Sequence, residues 1–243
     1  MAGREKREGI AVAFGKGAGG KEPPVPAVDW KNVGEFTIGG VERPVTPHRK
    51  RSVRGPRAIR VPSGGKNYRV YAPCAYCAPA AVSAPPGVTG PCLYEDEAGE
   101  RLLCALDSAA ETDGERQHRV IDARGELIGT ITRIPPTKRM FKHTWRMEQV
   151  GHPEIIGRNQ WASGDTKDIV ENGVSKVVFG ALKSAVTSLG AEESDHSESR
   201  ERTLEWRSDG KVVMVSQGSK SVTVRVGWID RRLAFAFALL GDR

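Results

Sequence analysis

Long apolar runs are missing from this sequence, and their absence excludes a membrane-spanning helix. No stretch approaches the roughly 18–20 consecutive apolar residues that cross a bilayer. Near the N-terminus the run from Ile10 to Phe14 is short and Lys16 follows it closely, which argues against an early signal peptide. Cysteine is scarce too, because 4 residues in 243 are too few for a disulfide-built scaffold. We therefore expect a cytoplasmic protein with reduced thiols.

Recognisable catalytic groupings are also lacking. The five histidines are scattered without an HExxH or paired spacing, and no Ser-His-Asp grouping or nucleophile elbow appears. Asp165, Asp168 and Glu171 are spaced by three residues near the start of an amphipathic segment. Negative charges at these positions stabilise the N-terminus of a helix through its dipole. A calcium loop is the less favoured interpretation, because the glycine and the order of ligands that it requires are missing. We predict a protein without enzymatic activity.

A glycine-rich stretch at residues 10–21 is the feature that could indicate a nucleotide. It looks like a deviant phosphate loop, with an apolar strand followed by glycines and Lys21. Glu22 stands where a magnesium-binding hydroxyl is needed, and Pro23 and Pro24 prevent the helix that should follow. A nucleotide-dependent enzyme is therefore our third hypothesis, and a flexible leader is the simpler interpretation.

Charge is distributed unevenly along the chain. Residues 1–66 contain 14 Lys/Arg and 6 Asp/Glu, a net charge of +8, whereas the whole chain has +7, which leaves about −1 for residues 67–243. The first 66 residues are also rich in glycine and proline and show little hydrophobic periodicity. Such a segment cannot bury enough apolar surface to offset its ordering entropy. We predict a disordered basic tail at 1–66, in which Trp30 to Ile38 could form a short docked piece, and a folded domain at 67–243.

The densest basic run in that tail is a candidate site for an anionic partner. Its members are Arg49, Lys50, Arg51, Arg54, Arg57 and Arg60. They could bind an anionic membrane surface, including phosphoinositides, or nucleic acid, and the alternative is a solvated tail with no specific partner. Aromatic residues that could stack on bases are not interleaved with these cations, which argues against a sequence-reading single-strand binder.

From Tyr68 onward, short apolar runs separated by polar turns with glycine predict a mostly β domain. Four pairs of runs read as antiparallel hairpins, because the turn residues supply the positive φ angles that a tight reversal needs. The hairpins have their turns at residues 95–100, 122–125, 151–153 and 208–210. A further strand follows from the alternation of Val222, Val224 and Val226 with polar residues.

Two segments in this domain have helical patterns. Residues 167–189 show apolar positions spaced by three and four, with Gly190 at the expected C-terminal cap. Residues 229–240 end in eight consecutive apolar residues, Leu233 to Leu240. A helix that is apolar on every face must be surrounded, and this one is too short for a bilayer. We predict that it passes through the centre of a curved sheet.

Three segments in this order resemble the tubby C-terminal-like superfamily, in particular its bacterial phospholipid scramblase-related members and the plant LURP-one-related proteins. The segments are Val120 to Ile131, Trp145 to Glu148 and Trp228 to Ala238. The resemblance covers about residues 67–243 and implies a closed twelve-stranded antiparallel barrel around a hydrophobic helix. Tubby proteins bind phosphoinositides, but no phosphoinositide-binding Lys/Arg set aligns with this chain, so none is carried over.

The four cysteines offer a second candidate site. Cys74 and Cys77 have the CxxC spacing of zinc ligands, and Cys92 and Cys104 could complete a tetrahedral set. The later two are not a CxxC pair, and Cys104 lies in an apolar strand where a small buried side chain is the ordinary explanation. Structural zinc and free thiols both stay open.

Taken together, these features favour a non-enzymatic β-barrel that binds an anionic lipid head group or a protein partner. The protein is expected to be a monomer, cytoplasmic and in contact with membranes only at their surface. The second hypothesis is a nucleic-acid-binding protein that uses its basic tail, with the barrel as a scaffold.

Overall fold

The computed structural model describes residues 23–79, 84–88, 90–112, 114–135, 143–159, 203–218 and 220–241. In these residues twelve antiparallel strands form one closed barrel in sequence order, and the first strand pairs with the last. The strands are β1 (Glu35–Arg43), β2 (Val53–Ser63), β3 (Val70–Ala78), β4 (Cys92–Tyr94), β5 (Leu102–Thr112), β6 (Glu115–Ile121), β7 (Leu127–Arg133), β8 (His143–Gln149), β9 (Ile155–Asn159), β10 (Thr203–Ser208), β11 (Lys211–Gln217) and β12 (Ser221–Val224). The predicted closed antiparallel barrel is confirmed.

The four predicted hairpins are present as β4–β5, β6–β7, β8–β9 and β10–β11. Local turn chemistry explains why short segments were enough to predict them. Between β6 and β7, the Asp122 carboxylate accepts hydrogen bonds from the backbone N–H groups of Arg124 at 2.8 Å and Glu126 at 2.9 Å. Gly125 has a φ angle of 80°, which glycine adopts without a steric penalty. These contacts lie within five residues and need no help from the rest of the fold.

The helix α1 (Arg231–Leu240) lies inside the barrel, as predicted from its apolar residues. Asp230 begins it, because its carboxylate accepts a hydrogen bond from the Arg232 backbone N–H at 2.9 Å. Residues Leu233 to Leu239 are all buried, so the helix has no face towards solvent. An isolated helix of ten residues would be marginal in water, and tertiary packing must supply its stability.

Aromatic contacts connect α1 to the barrel wall. The Phe235 ring meets Phe36 of β1 edge to face, with centroids 4.7 Å apart. The Phe237 ring makes two such contacts, with Trp206 at 4.6 Å and Trp145 at 5.5 Å. Burial of a large apolar side chain contributes about 1.5–3 kcal/mol, and an edge-to-face pair adds about 0.5–1.5 kcal/mol. Helix and barrel therefore stabilise each other.

The predicted boundary between a disordered tail at 1–66 and a domain at 67–243 is wrong, because β1 and β2 precede residue 67 and complete the barrel. β1 pairs with β12 on one side and with β2 on the other. Two of the prolines that argued against regular structure lie in β2, at positions where no backbone N–H of β2 is needed to pair with β1. Pro56 falls in the irregular part of the β1–β2 pairing, and Pro62 lies beyond Arg60, the last β2 residue paired with β1.

The two ends of the barrel have different connections. Because consecutive strands are antiparallel, the β2–β3, β4–β5, β6–β7, β8–β9 and β10–β11 turns share one end, where α1 also begins. We call this the turn end. The β1–β2 and β3–β4 connections leave from the opposite end, where α1 finishes, and we call this the loop end. The two ends therefore present different chemistry to solvent.

Several predictions made from the sequence lie outside the described residues. They are the helix at 167–189 with its acidic N-terminal residues, the glycine-rich stretch at 10–21 and the disorder of residues 1–22. Within the part of the chain that the structure describes, no helix is long and apolar enough to cross a lipid bilayer.

Candidate anion-binding surface

A basic segment at residues 43–69 includes the β1–β2 loop, β2 and the β2–β3 turn. It contains nine Lys/Arg residues and no Asp or Glu. Cations without acidic neighbours in sequence repel one another. The fold can separate them, bury them against hydrogen-bond acceptors or leave them exposed, where an anionic partner can neutralise them. The position of each side chain therefore decides which of them could meet an anion.

The β1–β2 hairpin folds back across the outside of the barrel until its tip contacts the β2–β3 turn. Arg49 connects the two loops, because its Nη1 donates hydrogen bonds to the carbonyl oxygens of Pro44 at 3.3 Å and Arg69 at 3.4 Å. His48 stacks on Tyr68, with ring centroids 5.3 Å apart and 6° between the planes. The tip of the hairpin and the β2–β3 turn thus form one continuous surface.

Arg60 lies beneath the folded-back hairpin and is only 1% exposed. Its guanidinium donates hydrogen bonds to the carbonyl oxygens of Gly39 at 3.0 Å, Pro56 at 2.7 Å and Tyr71 at 3.1 Å. It also pairs with the Glu42 carboxylate at 3.4 Å. Burial lowers the pKa of Arg60, and the Glu42 charge acts in the opposite direction. The prediction that Arg60 meets an anionic partner is wrong, because its donors are used inside the fold.

The exposed part of this surface combines cations with apolar groups. We call it the basic face, and its members are Val45, Lys50, Arg51, Lys66 and Tyr68. Val45 is 47% exposed and Tyr68 is 61% exposed, so both place apolar area in contact with solvent. None of the three cations forms an ion pair with a described residue. Positive charge at the basic face is therefore not neutralised within the described part of the chain.

The other predicted cations have separate environments. Arg54 is exposed on the same hairpin, and Arg49 is half-buried at the junction of the two loops. Arg57 is exposed but lines a cavity that also contacts α1. Since the six residues do not form one cluster, the predicted basic run divides into an exposed group, a cavity residue and two residues that hold the fold.

Sequence reasoning missed three members of the basic face, Val45, Lys66 and Tyr68. Tyr68 lies between Lys66 and Arg69, so an aromatic residue among cations was visible in the sequence. Its exposure was not predictable, because the sequence does not show which tyrosine of this region the folded-back hairpin covers. The neighbouring Tyr71 is in fact buried beneath the hairpin.

The four cysteines do not assemble into the zinc site that the sequence left open as an alternative to free thiols. In the described ranges, no group of three His, Cys, Asp or Glu side chains is arranged to hold a metal ion. Cys74 and Cys104 belong to the interior core, and Cys77 packs against it. Cys92 belongs to a separate cluster on the outside of the sheet, because adjacent residues of a strand point to opposite faces and its neighbour Leu93 points inward.

Burial also keeps these thiols protonated. It raises the pKa of Cys74 to about 12 and that of Cys77 to about 11. The pKa values of Cys92 and Cys104 are raised by burial as well. Because the thiolate is the nucleophilic form, burial makes these side chains poor nucleophiles at neutral pH.

No protein-family model matches this chain, and no curated protein or solved structure matches it either. The resemblance to the tubby C-terminal-like superfamily therefore stays a prediction that depends on the order of the sequence motifs. The closed barrel around an apolar helix, in contrast, is a property of the structure itself.

Proposed function

We propose that the basic face binds anionic head groups at a membrane surface, and that the protein acts by binding and not by catalysis. The observation that supports this proposal is a single surface, formed where the hairpin tip contacts the β2–β3 turn, that carries the exposed side chains of Lys50, Arg51, Lys66, Val45 and Tyr68. Anionic lipid head groups pair with the cations, while the tyrosine ring and the valine contact the boundary between head groups and acyl chains.

The expected attachment is reversible and sensitive to salt. Each Lys or Arg near an anionic leaflet contributes about 1 kcal/mol, and the attraction falls off within a Debye length of about 8 Å at physiological ionic strength. Three cations alone would therefore give weak binding. Tyr68 and Val45 add apolar contact that salt does not screen, so we expect some binding to persist after moderate salt is added.

Nucleic acid offers the same negative charge and is the alternative partner for these cations. Proteins that bind single strands use the faces of aromatic rings to stack on bases. His48 covers one face of the Tyr68 ring, and Val45 makes no favourable contact with a phosphate backbone. The composition of the basic face therefore favours a lipid surface.

Co-sedimentation of the full chain with vesicles tests the proposal. Phosphatidylcholine vesicles should leave the protein in the supernatant, and vesicles that also contain phosphatidylserine should carry it into the pellet. The triple variant Lys50→Glu/Arg51→Glu/Lys66→Glu should reduce partitioning by at least about 100-fold, because three attractive contributions of about 1 kcal/mol are removed and three repulsive charges are added.

A matched control has the same change in net charge at exposed residues elsewhere on the barrel: Arg124→Glu/Lys211→Glu/Arg225→Glu. It should keep most of the binding to anionic vesicles. Equal loss in both variants would show that net charge alone attracts the protein and would refute the role of the basic face. Tighter binding to DNA than to anionic vesicles, lost in the basic-face variant, would replace the proposal with the nucleic-acid alternative.

A further inference from the structure

A cavity of about 330 Å³ lies at the loop end of the barrel. It is formed between the end of β3, the segment that leads into β4, one residue of β2 and the C-terminal part of α1. The lining residues are Arg57, Cys77, Ala78, Pro79, Gly90, Pro91 and Leu239. The volume is at the lower end of the roughly 300–1,000 Å³ of small-molecule sites. A small ligand fits this space, and a complete two-chain lipid does not.

The described lining of this cavity combines an apolar wall with one charge. Pro79, Pro91 and Leu239 supply hydrocarbon surface. Burial raises the pKa of Cys77 to about 11, so this thiol is neutral at physiological pH. Arg57 is exposed, and it makes no ion pair or hydrogen bond with a described residue. It lies close enough to Cys77 for its charge to act against the rise in that pKa.

We propose that this cavity binds a small amphipathic anion, with a carboxylate or phosphate head group on a short apolar chain. Arg57 pairs with the head group, because a guanidinium matches both anions with two parallel hydrogen bonds. The chain lies against Pro79, Pro91 and Leu239, where it replaces water on apolar surface. The site is independent of the basic face, which includes the turn end of β2 and β3.

The helix dipole determines the orientation of the ligand. The C-terminal end of α1 carries a partial negative charge, and no basic residue lies in its last turn. An anionic head group placed at Leu239 would be repelled, whereas at Arg57 it is attracted. We therefore infer that the apolar chain contacts the helix and that the head group stays at the rim.

Calorimetric titration of the full chain with four probes tests this site: octanoate, octyl phosphate, octanol and acetate. Octanoate or octyl phosphate should bind, and the tighter of the two identifies the preferred head group. Octanol lacks the charge and acetate lacks the chain, so each should bind at least about tenfold more weakly. If neither chain-bearing anion binds, or if octanol binds as tightly as they do, the proposal is overturned.

Two variants locate the binding site. Arg57→Gln should weaken binding of the chain-bearing anion about tenfold, because a charge-assisted pair is lost from an exposed side chain. Cys77→Leu should block binding, because this side chain packs towards the interior and a larger one fills the cavity, and circular dichroism establishes that the variant is folded. Arg124→Gln is the control that removes one exposed cation elsewhere. Unchanged affinity in Arg57→Gln, or equal losses in Arg57→Gln and Arg124→Gln, would refute the assignment.

A second readout does not depend on whether Cys77→Leu folds. With methyl-labelled leucine, NMR signals of Leu239 should shift when the anion is added, whereas those of Leu127, which is 41% exposed on β7, should not. Shifts at Leu127 without shifts at Leu239 would place the ligand elsewhere and overturn the proposal. Vesicle binding is measured separately with the basic-face variant, so failure of either proposal leaves the other intact.

Discussion

At the scale of single residues, the arginines of the basic segment have two roles that sequence does not distinguish. Arg51 and Arg60 lie nine positions apart in a run rich in Arg, Gly and Pro, and one is exposed while the other is 1% exposed. The difference arises because the hairpin folds back over β2, which brings Pro56 and Glu42 onto the Arg60 guanidinium. No local pattern contains that information, since it depends on where the hairpin tip docks.

The replacement Arg60→Met tests the structural role of this side chain. It leaves Glu42 without its cation and three carbonyl oxygens without a donor beneath the hairpin. Loss of one partner of a buried ion pair costs about 3–5 kcal/mol, so the free energy of unfolding should fall by that amount. Urea denaturation measures it. Arg124→Met at an exposed turn is the control and should change stability by less than about 0.5 kcal/mol. Equal stability of the two variants would show that water replaces the Arg60 contacts without loss.

At the scale of elements, predictability from sequence depended on how local the stabilising contacts are. The β6–β7 hairpin was predictable because Asp122 and Gly125 form its turn within a few residues. The helix α1 was predictable because its apolar residues leave no face for solvent. β2 was not, because its strand residues include Gly55 and Pro56 and its partners lie in β1 and β3. Only the complete barrel makes such a segment a strand.

Two substitutions separate the contributions of capping and packing to α1. Phe237→Ala removes a ring that contacts two tryptophans, and it should lower the free energy of unfolding by about 3–5 kcal/mol. Asp230→Ala removes the N-terminal cap and should cost about 0.5–2 kcal/mol. Urea denaturation of both variants measures the difference, and Leu127→Ala serves as an exposed apolar control. A larger loss in Asp230→Ala than in Phe237→Ala would contradict a helix stabilised mainly by its surroundings.

At the scale of the whole molecule, closure connects the two ends of the sequence. Residues Glu35 to Thr37 pair with Ser221 to Thr223, so the barrel exists only when early and late segments meet. This long-range pairing explains why composition misplaced the domain boundary. The basic, proline-containing residues before position 67 looked like a tail, although β1 and β2 supply two of the strands that surround α1. A basic, proline-containing composition therefore does not mean that these residues are disordered.

Two truncations test whether residues before position 67 belong to the barrel. A chain of residues 23–243 keeps every described residue and should retain cooperative thermal unfolding and its β-type circular dichroism. A chain of residues 67–243 lacks β1 and β2, which leaves the facing edges of β12 and β3 unpaired and exposes α1 through the gap. We expect it to aggregate or to bind a hydrophobic dye without a cooperative transition, because the apolar interior is no longer enclosed. Cooperative unfolding of the 67–243 chain at the melting temperature of the 23–243 chain would show that β1 and β2 are dispensable and that the barrel does not depend on closure.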